Sequence, residues 1–257
     1  MTDLSDAVDA DVAESAPTLT STVRTRRWFN PFTQRLPWWG EAFVAIAFYL
    51  LYDVVQAVTQ SDKDEATAHG LDIVHAEKAL HIWAEPDINR WATAHHWFAL
   101  LAGYDYGLAH VLMTAAVLGF VWWRYPRVEV ALRNAILGLS VAALFVYWQY
   151  PVSPPRFVVP GLTDTLTSND ILGSQHSYHG FVNLYAAMPS LHVAWSVWCA
   201  AAIVLALRSR WRHLAWLYPC WTTLVVVSTA NHYFLDAAAG LVLAAVPLTV
   251  VSLRLRR

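Results

Sequence analysis

Apolar positions along the chain fall into six runs of near-membrane length, separated by polar, charged or proline-rich segments. A helix crossing a hydrocarbon core of about 30 Å needs about 20 largely apolar residues, because each residue advances about 1.5 Å. The runs at 41–60, 98–122, 131–150, 186–206, 213–230 and 233–253 fit that requirement. Only a few polar residues separate the last two, which predicts a tight hairpin. No repeat is present. The pattern predicts an all-α fold, a six-span transmembrane helix bundle in one membrane-embedded domain over 36–257.

Two connections are long. Residues 63–96 are too polar to span, but Ile73, Ala76, Leu80 and Trp83 recur at helical spacing, with Asp72, His75, Lys78 and His81 elsewhere around the helix. That arrangement predicts an interfacial helix in the first outer loop, and Pro86 starts a second short one carrying Ile88 and Trp91. Residues 151–185 are rich in proline and glycine early on and polar through His179, so they read as a loop of functional length.

Composition agrees with a lipid solvent. The chain is 57% hydrophobic and 14% charged, against about 25% charge in an ordinary soluble domain. Fourteen Trp and eleven Tyr suit the membrane–water boundary. Residues 1–23 carry Asp3, Asp6, Asp9, Asp11 and Glu14 with no base and little bulk, which predicts a disordered cytoplasmic tail extending to residue 35. This stretch lacks the basic start and apolar core of a signal peptide, leaving the first span to direct targeting. Cys199 and Cys220 lie in apolar runs and read as buried thiols, a disulfide between neighbouring spans being the alternative. No cysteine–histidine pattern suggests zinc, and no metal or cofactor is expected. Membrane lipids, and no nucleic acid, are the expected partners.

The net charge of −2 says little, but its distribution fixes an orientation. Arg24, Arg26, Arg27 and Arg35 precede the first run, and Arg124, Arg127 and Arg133 join the second and third. Arg208, Arg210 and Arg212 join the fourth and fifth, and Arg254, Arg256 and Arg257 end the chain. Six crossings put all of these on one side, cytoplasmic by the positive-inside rule, with Lys63, Lys78, Arg90 and Arg156 on the other. The expected protein is therefore multi-pass in the cell membrane, with both termini cytoplasmic and the long loops outward.

Ionisable groups at a membrane edge are costly and mark function by default. Three clusters qualify: Tyr150–Arg156 after the third run, Met188–His192 at the start of the fourth, and Asn231–Asp236 between the fifth and sixth. Up-and-down topology brings all three to the outer face. His232 and Asp236 are one helical turn apart, so the carboxylate can fix the tautomer of the imidazole and free its other nitrogen as nucleophile or base. His192 arrives from another helix, the Arg156 guanidinium suits phosphate, Ser190 offers a hydroxyl, and Pro189 permits a helix start whose free N–H groups favour an anion. Two histidines, a carboxylate and an anion clamp match phosphoryl transfer through a phosphohistidine. Tyr104, Tyr106 and His110 read equally as pocket lining or helix–helix hydrogen bonding. His176, Tyr178 and His179 read as loop residues with a substrate-gating role as the sharper alternative.

At these residues the sequence resembles the type 2 phosphatidic acid phosphatase superfamily, whose signatures run KxxxxxxRP, PSGH and SRxxxxxHxxxD. The counterparts are PPR ending at Arg156, PSLH at 189–192 and His232-xxx-Asp236. The stretches SPPRF, AAMPSLHVA and NHYFLDAAAG look most like the branch containing inositol phosphorylceramide synthases, which are inositolphosphotransferases. The resemblance, over roughly 40–253, implies His232 as nucleophile and Asp236 as its orienting partner. It implies His192 as the acid that protonates the leaving group and then the base that activates the acceptor. Arg156 and Ser190 would hold phosphoryl oxygens, with no metal required.

Gln149 stands where the signature has Lys, Val226 where it has Arg, Leu191 in place of Gly and Phe157 in place of the final Pro. Asn231, Tyr233 and the loop histidines are the candidate substitutes for the missing cations. The expected activity is a membrane lipid phosphatase or phosphotransferase acting on a lipid phosphate or phosphodiester, with water or a polyol or sugar alcohol as acceptor. The competing classes are a bis-histidine haem electron carrier using His192 and His232, and a non-catalytic lipid binder or transporter.

Overall fold

The computed structural model describes residues 32–58, 62–171 and 184–255. Its long elements are all helical: α1 (Trp38–Val58), α2 (Lys63–Ala79), α3 (Glu85–Ala94), α4 (His96–Arg124), α5 (Pro126–Gln149), α6 (Leu191–Ala206), α7 (Leu217–Ser228) and α8 (Phe234–Leu255). The only β pairing among the described residues is a bridge between Val152 and Ala186. Starts follow local chemistry. Asp62 caps α2 by accepting from the Asp64 N–H, Pro86 and Pro126 occupy first-turn positions of α3 and α5, and Ser190 caps α6.

α6 is the central element. It packs against α4, α5, α7 and α8, and eleven of its 16 residues are buried, including Trp198 with no exposed surface. A helix apolar on every side and rich in alanine allows such close neighbours. Its two tryptophans are not at a boundary but inside the bundle, where Trp195 Nε1 donates to Ser140 Oγ and Trp198 Nε1 donates to the Leu132 carbonyl. An indole N–H buried without an acceptor would be expensive, and both have one.

Among the described residues three helices, α4, α5 and α8, are long and apolar enough to cross a membrane, and α6 is a shorter apolar helix. The fourth run was expected to be helical from 186, yet α6 begins only at Leu191. Pro189 and the Ser190 cap stop it from starting earlier, and the preceding residues run alongside Val152 instead. The fifth run divides into a 3₁₀ turn, Arg210–Trp216, and the 12-residue α7.

α2 packs on the bundle through a side that only partly overlaps its apolar stripe. Ala76 and Leu80 are exposed, and the buried residues are Ala66, Gly70, Ile73, Val74 and Glu77. This stripe includes an acid. Gly70 is the point of closest approach: a Cβ there would lie 2.7 Å from a Val158 methyl and 2.9 Å from the Ser153 carbonyl oxygen. Cys199 is buried as expected, but Cys220 is exposed and both thiols are free. At the end of the bundle away from these loops, Arg133 is buried and pairs with Glu41, with Glu129 3.5 Å away. Residues 32–36, mostly assigned to the tail from composition, are hydrogen-bonded to this end. Arg133 and Asn134 donate to the Gln34 and Phe32 carbonyls, and Trp122 Nε1 donates to the Leu36 carbonyl. The remainder of the expected tail lies outside the described residues, as do His176, Tyr178 and His179.

Candidate active site

The 229–233 turn between α7 and α8 folds back on α7, whose Val226 carbonyl accepts the N–H groups of both Asn231 and His232 at 3.1 Å. Ala230 sits at φ +57°, a left-handed conformation that costs energy for a residue with a Cβ. Its carbonyl accepts the backbone N–H of Arg156 at 3.2 Å. The turn thereby joins the Tyr150–Arg156 cluster to the Asn231–Asp236 cluster.

His232 is almost fully buried, and its Nδ1 faces two acceptors: the Ala187 carbonyl at 2.8 Å and Asp236 Oδ2 at 3.4 Å. A carbonyl cannot donate, so Nδ1 carries the proton and Nε2 keeps its lone pair. The sequence assigned tautomer control to Asp236 alone. In the structure the shorter bond comes from Ala187, one of the residues that Pro189 keeps out of α6. Asp236 Oδ2 also accepts the Tyr233 N–H at 3.0 Å, and the Asp236 carbonyl accepts the Ser190 N–H at 3.0 Å.

His192 lies opposite, its ring centroid 5.9 Å from that of His232. It stacks on Tyr106 at 4.1 Å, lies 4.8 Å from the ring of His110, and its Nε2 donates to the Tyr106 carbonyl at 3.3 Å. A π-helical turn over Asp105–Ala109 interrupts α4 beside these contacts. Such turns shift the register of a helix and are common at functional sites. Hydropathy carries no trace of it, which is why the sequence left Tyr106 and His110 undecided.

Arg156 Nη1 donates to Asn231 Oδ1, while its Nε lies 3.3 Å from Asp164 Oδ2. The Asn231 amide nitrogen donates to the Thr229 carbonyl and hydroxyl, which orients the amide oxygen toward the guanidinium. Ser190 is fully buried, and its Oγ accepts the Val193 N–H as the α6 cap. Tyr233 does not open into this space. It has no exposed surface, and its hydroxyl donates to the Ser153 carbonyl at 3.1 Å. Burial, followed by the nearby Asp236, Glu77 and Glu85 carboxyls, raises the pKa of that hydroxyl above its ordinary value.

Of the positions departing from the signatures, Gln149 is exposed at the end of α5 and Val226 is fully buried. Three neighbours of the site escaped the sequence analysis: Asp164, Glu77 and Glu85. Asp164 is an Asx-type cap in a polar loop, a pattern found in many loops without function. The two glutamates take backbone N–H groups of α8, Glu77 Oε1 from Leu235 at 2.7 Å and Glu85 Oε1 from Phe234 at 3.1 Å.

A helical bundle with an imidazole held in one tautomer, a second imidazole across from it and a guanidinium at the rim has the makings of a phosphoryl-transfer centre. The PAP2 superfamily model matches residues 71–250, and the chain belongs to that superfamily. Membership makes it a phosphatase-type enzyme, and its three long apolar helices make it a membrane protein. No curated protein and no solved structure matches the chain.

Proposed function

We propose that the protein is a six-span lipid phosphatase or phosphotransferase, working outside the cell through a phosphohistidine on His232. The observation that carries this reading is the Nδ1 position of His232, 2.8 Å from the Ala187 carbonyl, which in the neutral ring leaves the lone pair on Nε2, with the His192 ring centroid 5.9 Å away. Nε2 attacks phosphorus and forms an N–P bond as the P–O bond to the lipid alcohol breaks. His192 supplies the proton that the leaving oxygen takes up. In the second half-reaction His192 removes a proton from water or an acceptor hydroxyl, whose oxygen attacks phosphorus as the N–P bond breaks.

Arg156, oriented by the Asn231 amide oxygen, holds phosphoryl oxygens, joined by Ser190 through its hydroxyl proton and by the N–H groups of Leu191 and His192. Those two amides have no backbone acceptor among the described residues and sit at the positive end of α6. Val226 and Gln149 leave the site with one guanidinium where the signatures place three cations. That favours substrates of lower charge, such as phosphodiesters, and supports the inositolphosphotransferase-like branch. In this reading α2 and α3 lie in the outer membrane interface, and 157–185 shapes the acceptor pocket.

The test is turnover of a panel of polyprenyl phosphates, phosphatidic acid and phosphatidylinositol, with trapping of an acid-labile phosphoenzyme. His232→Ala should abolish both the phosphoenzyme and turnover, a loss of at least about a thousandfold for a nucleophile. Full turnover by the variant on every substrate the parent accepts would refute the assignment.

A further inference from the structure

The first turn of α8 carries Asp236 and follows His232 directly, so the placement of its N-terminus sets the geometry of the pair. That N-terminus is held from two outer-loop helices. Glu77 comes from α2 and Glu85 from α3, and neither has any exposed surface. Each takes one of the N–H groups that a helix start leaves without an internal acceptor, those of Leu235 and Phe234. Glu85 Oε2 also accepts the Ala84 N–H at 3.0 Å. Glu77 Oε2 is buried and no donor faces it; because the two glutamates accept from adjacent N–H groups, the Glu85 carboxyl is its neighbour.

Two carboxylates held side by side out of water repel each other unless one is protonated and donates to the other. We propose that Glu77 and Glu85 form a proton-sharing carboxyl pair that seats the first turn of α8 and so positions Asp236 and His232. The pair acts through those residues and touches no substrate. As positioning for phosphoryl transfer, the inference rests on the function proposed above.

The surroundings support a single shared proton. Asp236 and the Tyr233 hydroxyl face the pair from α8 and the turn before it, and Arg156 is the nearby cation, acting on Tyr233. Burial, then the hydrogen bond and charge of Glu85 and the charge of Asp236, push the Glu77 pKa up to about 9. One negative charge on the pair matches the positive end of α8. Loss of the shared proton would leave two buried negative charges beside Asp236 and open the seat. The motif eluded the sequence because a glutamate is an unwelcome member of an apolar stripe, and nothing in the spacing links residue 77 to residue 235.

Glu77→Gln separates positioning from general fold support, because the amide copies the protonated acid: it donates to Glu85 and still accepts from Leu235. With dioctanoyl phosphatidic acid in detergent micelles, Glu77→Gln should keep kcat at pH 7 within about threefold. Glu77→Ala should lower it about a hundredfold with KM little changed, as expected when reacting groups are misplaced by about an ångström. The kcat of the parent should fall above pH 9, and that of Glu77→Gln should not. Infrared difference spectra of the purified parent should show a protonated carboxyl at pH 7 that Glu77→Gln lacks. Equal losses in the Gln and Ala variants, an unchanged alkaline limb in Glu77→Gln, or no protonated carboxyl in the parent would overturn the pair. Turnover surviving in His232→Ala, with the infrared band intact, would instead refute the phosphohistidine reading and leave the pair standing.

Discussion

At the scale of single residues, the site depends on backbone contacts as much as on its named side chains. Gly240 in α8 is the clearest instance. A Cβ at this position would lie 2.3 Å from the Ser190 carbonyl oxygen and 3.4 Å from the Ala194 nitrogen, so α8 crosses α6 through a space only glycine leaves open. One turn earlier the Asp236 carbonyl accepts the Ser190 N–H. Gly240→Ala should therefore push α8 away from α6, costing about 1–3 kcal/mol of stability and lowering kcat with it. Gly138→Ala is the control, since a Cβ there meets nothing within 4 Å. It should be neutral or slightly stabilising, because glycine is a poorer helix former than alanine by about 1 kcal/mol. Thermal unfolding and turnover of the two variants check both expectations. His192, His232, Asp236 and Arg156 were legible beforehand because their chemistry lies in side chains at recognisable spacing. The Ala187 carbonyl was not, since any residue type presents the same atom.

At the scale of elements, hydropathy located the apolar runs but not where each helix ends. The periodicity of Ile73, Ala76, Leu80 and Trp83 predicts a helix correctly. The bundle-facing side of α2 includes Glu77 because two outer-loop helices supply acceptors that the start of α8 needs, a tertiary demand that hydropathy does not register. This demand gives the protein a pH-dependent stability. An acid whose pKa is raised by folding binds more protons folded than unfolded, so stability falls as pH rises between the two values. For Glu77 the window runs from the ordinary 4.5 up to about 9. Midpoints of thermal unfolding should fall across that range in the parent and much less in Glu77→Gln, with the difference greatest on the alkaline side. Tryptophan fluorescence on heating at a series of pH values measures it, and parallel profiles for the two proteins would show that Glu77 does not hold its proton.

At the scale of the whole molecule, the helix lengths and the charge pattern constrain different things. α4, α5 and α8 are long enough to cross, whereas α6 with 16 residues spans about 24 Å and α7 with 12 spans about 18 Å. The shortfall lies at the ends where chemistry or charge replaces apolar residues: Ala186–Ser190 in front of α6, and the Arg210–Trp216 3₁₀ turn in front of α7. Arg208, Arg210 and Arg212 then stand at one face, while the segments bearing Ala187 and His232 stand at the other. An even number of crossings with both ends inside predicts opposite exposure for Asp87 on α3 and Ser209 between α6 and α7, both of which are exposed positions. In a background of Cys199→Ala and Cys220→Ala, Asp87→Cys should react with a membrane-impermeant maleimide on intact cells. Ser209→Cys should react only after permeabilisation. Labelling of both from outside would mean that α6 does not cross, and the proposed outward site would then lose its topological basis. Opposite labelling would place the two long connections outward and the arginine clusters inward, the arrangement in which a lipid substrate reaches His192 and His232 from the outer leaflet.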